Sequence, residues 1–140
     1  YLQVRRTHPV TVLDTFDAPV MTPNCEFRNK TTVATQSLLC LNDTFILENA
    51  RALAGRLRKE VPGDARGQIQ RAWHILFCQE ATNSDITKSL LYLAEQTEAI
   101  RLKQQEIGFP KDGPPPDAQL DALASLCQIF YSSNRFLYVH

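Results

Sequence analysis

The sequence predicts an all-α protein, an irregular bundle of about five helices behind an extended, proline-broken N-terminal arm. Three observations carry this reading. After residue 31, apolar residues recur at spacings of three and four, which places them along one face of a helix. Helix start and stop signals punctuate those stretches: Asn42-Asp43, Pro62-Gly63-Asp64, Thr82–Asp85 and Asp117. Residues 1–31 hold no period for long, and Pro9, Pro19 and Pro23 interrupt any long helix there.

Taken in order, the arm spans 1–31, with Val10, Val12, Leu13 and Phe16 as apolar residues able to pack. Helices occupy 32–107. A short one is expected over about Val33–Leu41, capped by Thr31 or Thr32. Asn42-Asp43 turns the chain, and Asp43 is the N-cap of a longer helix opening at Thr44. Its stripe is Ile46, Ala50, Leu53, Leu57 and Val61, with Leu47 and Ala54 alongside, and Pro62-Gly63 stops it. Asp64 caps a third helix whose stripe is Ala65, Ile69, Ala72, Trp73, Leu76 and Phe77. Thr82 and Asp85 form a capping box for the fourth. That helix carries Ile86, Leu90, Leu93, Thr97 and Ile100, with Leu91 and Ala94 beside them, and turns polar from Arg101. Residues 108–116, GFPKDGPPP, form a proline-rich connector of extended character. The last helix covers about Asp117–Ser133 on Leu120, Leu123, Cys127 and Phe130, with Ala124 and Tyr131 next to them. The tail Arg135–His140 is expected to pack back on the core.

A chain of 140 residues, 44% apolar and 21% charged, is the size and composition of one globular domain. Fifteen basic residues balance fifteen acidic ones, so no electrostatic case exists for nucleic acid or an anionic membrane surface. No apolar run approaches the ~20 residues needed to cross a bilayer, so no membrane insertion is expected. Tyr1–Phe16 lacks the order of a secretory leader and reads as the middle of a longer protein, so the chain is expected to be a C-terminal fragment.

Few residues carry recognisable chemistry. His74 and Cys78 stand one helical turn apart, a spacing that suits two metal ligands. No second pair accompanies them, and a partly buried polar pair is the simpler reading. Asp14 and Asp17, near Glu26, offer paired carboxylates for acid–base work, although aspartates in a proline-broken loop more often cap turns. Cys25, Cys40, Cys78 and Cys127 form no C-x-x-C and no haem-attachment motif. They read as small buried hydrophobes; one disulfide fits an exported protein, and three pairings remain open. Asn29-Lys30-Thr31 and Asn42-Asp43-Thr44 match the glycosylation sequon, the second overlapping a helix cap.

The stretch Phe27–Asp43 leaves Arg28 and Gln36 without a local role. A buried Arg28 needs a carboxylate, and Asp17 or Glu48 is placed to supply one. Asp17, Arg28, Gln36, Asn42 and Asp43 are therefore candidates for a polar network that pins the arm to the helices. The competing reading has them lining a cleft shared with upstream sequence.

Three blocks together resemble a known family. They are LDTFDAP…C..R..TT…Q.L..LND.F…..A..LA.R (Leu13–Arg56), A.HILF….T..D (Ala72–Asp85) and LASLCQIFYSSNRFLYV (Leu123–Val139). In this order they look like the C-terminal half of the planctomycete-specific domain of unknown function found in secreted, cytochrome-c-associated proteins. The chain departs from that pattern at Phe77–Thr82, where the family commonly reads L-G-R-x-P-T. It departs also at Ala34, Arg135 and His140, where Pro, Glu and Asp are usual. The resemblance implies an exported, periplasmic or cell-surface bacterial parent, with upstream domains as the partners of this segment. It implies no cofactor in this chain and haem c elsewhere in the parent. Two functions follow as expectations: a non-catalytic helical structural or interaction module, or part of a haem-linked oxidoreductase-type enzyme acting on an extracellular substrate such as polysaccharide.

Overall fold

In a computed structural model of the chain, the described residues are 38, 42–107 and 117–137. They form five α-helices and no strand among them. The helices are α1 (Thr44–Glu60), α2 (Ala65–Phe77), α3 (Asn83–Ile107), α4 (Ala118–Ser132) and the single turn α5 (Asn134–Leu137). The all-α bundle matches the expectation. Its fifth helix is the turn in the tail; of the expected helix over Val33–Leu41 only Leu38 is described, and it is helical, whereas the arm 1–31 and the connector 108–116 lie outside the described residues.

α1 begins where expected. Asp43 is extended (φ −76°, ψ 129°) and its side chain accepts from the N–H of Phe45 at 2.8 Å, satisfying one of the helix's orphan donors. Ala50, Leu53, Ala54 and Leu57 are buried; the two alanines on this stripe permit close approach of a partner. The expected stripe was too long at both ends, since Leu47 is exposed and Ile46 and Val61 are half-buried. The chain then turns through Gly63 at φ +76°, a conformation that favours glycine, and Gln68 Nε2 donates to the carbonyl of Val61 at 2.8 Å across the turn.

α2 buries Ile69, Ala72 and Trp73. Two expectations fail at its start: Ala65 is exposed, and Asp64 sits at the N-cap without a side-chain cap hydrogen bond. Gly67 accounts for the tightness there, because a Cβ at that position would lie 2.6 Å from Asp64 Oδ2 and 2.8 Å from Val61 Cγ1. α2 ends on Cys78, which adopts the left-handed conformation (φ 52°) and donates its N–H to the His74 carbonyl.

The expected capping box opens α3. Thr82 Oγ1 donates to Asp85 Oδ2 at 2.6 Å, and the Asp85 N–H returns to Thr82 Oγ1 at 3.2 Å. α3 buries Ile86 and Ser89, while Leu91 and Ala94, placed beside the stripe, are exposed. α4 opens on Asp117, whose side chain accepts from the N–H groups of Gln119 and Leu120 at 3.1 Å each.

α4 is the central element and packs against each of the other four described helices. It runs antiparallel to α1, for Arg51 pairs with Asp121 and Arg58 with Asp117. It also runs antiparallel to α3: the Tyr92 hydroxyl meets Ser125 Oγ at 2.7 Å, while Thr97 and Arg101 flank Gln119 and Leu120. Ala118, Ala122, Leu123, Leu126, Cys127 and Phe130 are buried on α4, a broader face than the expected stripe. At one end of the core, Trp73, Phe77 and Phe130 pack edge to face, with centroids 4.9–6.1 Å apart. The described part of the tail packs back through α5, where the Arg135 guanidinium lies 4.7 Å over the Trp73 ring and Phe136 meets Tyr131 at 5.0 Å; residues 138–140 lie outside the described residues.

Candidate functional site

Two of the concavities among the described residues stand out. The larger, about 560 Å³, lies where the end of α1 and the start of α2 meet α3 and α4. Leu90, Leu93, Leu120 and Leu123 contribute apolar surface to it, and Arg58, Gln68, Thr97 and Arg101 bring polar groups. Apolar surface with a few convergent polar groups is the usual form of a ligand site.

Most of these polar groups are already engaged. Arg58 pairs with Asp117, and Arg101 stands 4.0 Å from Glu98. Thr97 Oγ1 donates to the Leu93 carbonyl at 2.6 Å, and Gln68 holds the Val61 carbonyl. The hydrogen bond from Arg58 holds the Asp117 carboxyl below its ordinary 3.8 against the opposing effect of burial. Nearby, Glu60 accepts from both Arg56 and Arg71 at 2.6 Å. The hydrogen bond from Arg56, then that from Arg71, lowers its pKa. Both carboxylates are thus stabilised as anions at neutral pH, the opposite of a general acid.

The cysteines and histidine do not assemble. His74 and Cys78 are both exposed, which corrects their expected partial burial. The αL cap turns Cys78 out of the helical register on which that expectation rested. Cys78 is likewise not the small buried hydrophobe expected, whereas Cys127 is fully buried, and burial pushes its thiol up to about 12. A thiol in that state is a poor nucleophile and metal ligand. Among the described residues no group of three or more His, Cys, Asp and Glu side chains is arranged to hold a metal ion.

Of the five network candidates, Asp17, Arg28 and Gln36 lie outside the described residues, as do Asp14 and Glu26. Asn42 and Asp43 act locally: Asn42 Nδ2 donates to the Leu38 carbonyl at 3.0 Å, and Asp43 caps α1. The sequence reading missed the larger groove, because Arg58 and Arg101 appear there only as off-stripe charges. The pairing of Arg58 with Asp117, 59 positions along the chain, leaves no local signal.

A family model described as "PSD1: Protein of unknown function (DUF1553)" matches residues 1–93, from the arm into α3. No curated protein and no solved structure matches the chain.

Proposed function

The chain belongs to the DUF1553 (PSD1) family of proteins of unknown function, and on that premise we propose that it is a non-catalytic helical packing and interaction module. Its setting on this reading is an exported bacterial protein of the planctomycete-specific type, with haem c on a separate domain and this chain as the C-terminal half of its own domain. The setting rests on the resemblance of the three sequence blocks. The observation that carries the module reading is the engagement of the larger groove: Arg58, Gln68 and Thr97 each complete a contact within the bundle. Arg58 ties α1 to the start of α4 and Gln68 ties α2 to the end of α1, while Thr97 bonds back within α3; groups used in this way hold the bundle together, which is the task of a scaffold.

A second reading makes the same groove part of an enzyme site completed by upstream sequence and coupled to the haem domain. Its apolar surface and the guanidinium of Arg101 favour it. Arg101 is more than half exposed and holds Glu98 only at 4.0 Å, so it remains available to an anionic or polyhydroxylated substrate.

Substitution of Arg101 by Ala in the full-length parent protein separates the two. The module reading expects turnover of the parent within about twofold of wild type and an unchanged haem spectrum. A loss of about 100-fold or more at unchanged melting temperature, the magnitude of removing a charge-stabilising donor, overturns it in favour of the enzyme.

A further inference from the structure

The first two turns of α1 present Phe45, Ile46 and Leu47 in succession, and the helical bundle covers none of them fully. Phe45 is 60% exposed and Leu47 43%, and Leu38 just upstream is 60% exposed. Because α4 runs antiparallel to α1, its C-terminal turns lie at this same end of the pair, where Ile129 is also exposed. The second concavity, about 460 Å³, follows this seam, with Leu47, Ala52 and Ala124 as apolar surface and Glu48 and Arg51 alongside. Arg51 is taken by Asp121. Glu48 has no ion-pair partner among the described residues. Exposed apolar side chains gathered at one end of a helix pair, beside a charge of this kind, mark a contact surface.

The chain itself brings a suitable occupant to this place. Residues 1–37 precede in the chain the end at which α1 opens, and they include the apolar residues Val10, Val12, Leu13 and Phe16. Phe16 stands 28 positions before Thr44, and at ~3.3 Å per extended residue that length reaches every part of the seam. The arm also carries Arg28, the complement of Glu48. One family model matches residues 1–93, a span that holds the arm together with α1 and α2. We propose that Val10–Phe16 of the chain's own N-terminal arm dock along the α1–α4 seam over Leu47, Ala52 and Ala124, leaving Glu48 to the arm's Arg28. The docked arm completes the core on the face where α1 opens. This stands apart from the choice between module and enzyme.

A photo-crosslinking phenylalanine analogue at position 47 of the full 140-residue chain tests the contact. Irradiation at micromolar concentration, followed by peptide mapping, should recover intramolecular crosslinks to residues 10–16. Crosslinks to a second copy, to other segments of the chain only, or none at all overturn the proposal. Stability supplies an independent check. Leu47→Asp at a solvent-facing position near a helix N-terminus is expected to be close to neutral. Under the docked arm it should lower the melting temperature by about 5 °C. Combining it with Leu13→Asp should lower it little further, since both remove the same contact. A neutral Leu47→Asp, or fully additive losses, overturns the proposal.

Discussion

The carboxylate of Asp117 accepts from the backbone of Gln119 and Leu120 and from the guanidinium of Arg58. It caps α4 and at the same time ties the start of α4 to the end of α1. Asp117→Ala removes the cap and the interhelical pair together. A cap is worth about 1 kcal/mol, and a solvent-exposed pair adds at most about 1 kcal/mol more. Denaturant unfolding should therefore show a loss of about 1–2 kcal/mol for Asp117→Ala. Asp117→Asn retains the cap and should recover roughly half of it. The same carboxylate shows what a single residue discloses in advance: its position before an apolar-periodic run announces the cap, whereas Arg58 is a distant residue that nothing local connects to it. Arg135 is similar. Nothing in the tail's sequence announces a partner for it, and only the fold shows that its guanidinium covers Trp73, a contact that an acidic residue there would not make.

At the scale of elements, α3 is longer than the bundle that supports it. The Tyr92–Ser125 contact fixes its register against α4. α4 begins at Ala118, seven positions before Ser125, so α3 passes the start of α4 near residue 99. Its remaining residues extend about 12 Å farther at ~1.5 Å per residue. Arg101, Leu102, Lys103, Gln105 and Glu106 are exposed there. Backbone amides held by helical hydrogen bonds alone open far more readily than those beneath a packed face. Hydrogen exchange should accordingly be at least about tenfold faster over 102–107 than over 86–93. Uniform protection along α3 would mean that further chain covers its end. Element starts were legible because caps are local chemistry: Asp43, Asp117 and the Thr82–Asp85 box all behave as their sequence context suggests. Stripe edges were less so. Leu47, Leu91 and Ala94 fit a helical period yet face outward, since period marks a face but not where the neighbouring helix stops. Ala122 and Leu126 were missed because α4, surrounded by the other helices, buries more than one stripe.

Across the whole molecule, the lowered carboxylates and the raised thiol set a pH window. Glu60 and Asp117 titrate lower in the fold than their ordinary 4.5 and 3.8. The unfolded chain therefore binds their protons first, and the stability they contribute is full above about pH 4.5 and falls as pH drops through the folded values. Cys127 is raised from 9.0 to about 12. Above pH 9 the unfolded state releases that proton while the fold retains it, so stability also falls as pH rises from 9 towards 12. Melting temperature should be flattest between about pH 4.5 and 9. The acid-side decline should shrink in a Glu60→Gln, Asp117→Asn double variant. Less of the site than of the fold was legible, for a physical reason: the larger groove is assembled from four helices, and no single stretch of sequence contains it. The chain does carry its own probe of assembly. Trp73 is the only tryptophan among 140 residues and lies where α2, α4 and α5 converge, ringed by Phe77, Phe130 and Arg135. Its fluorescence therefore originates at one junction, and a red shift in emission signals water reaching that junction, in any variant and without an attached dye.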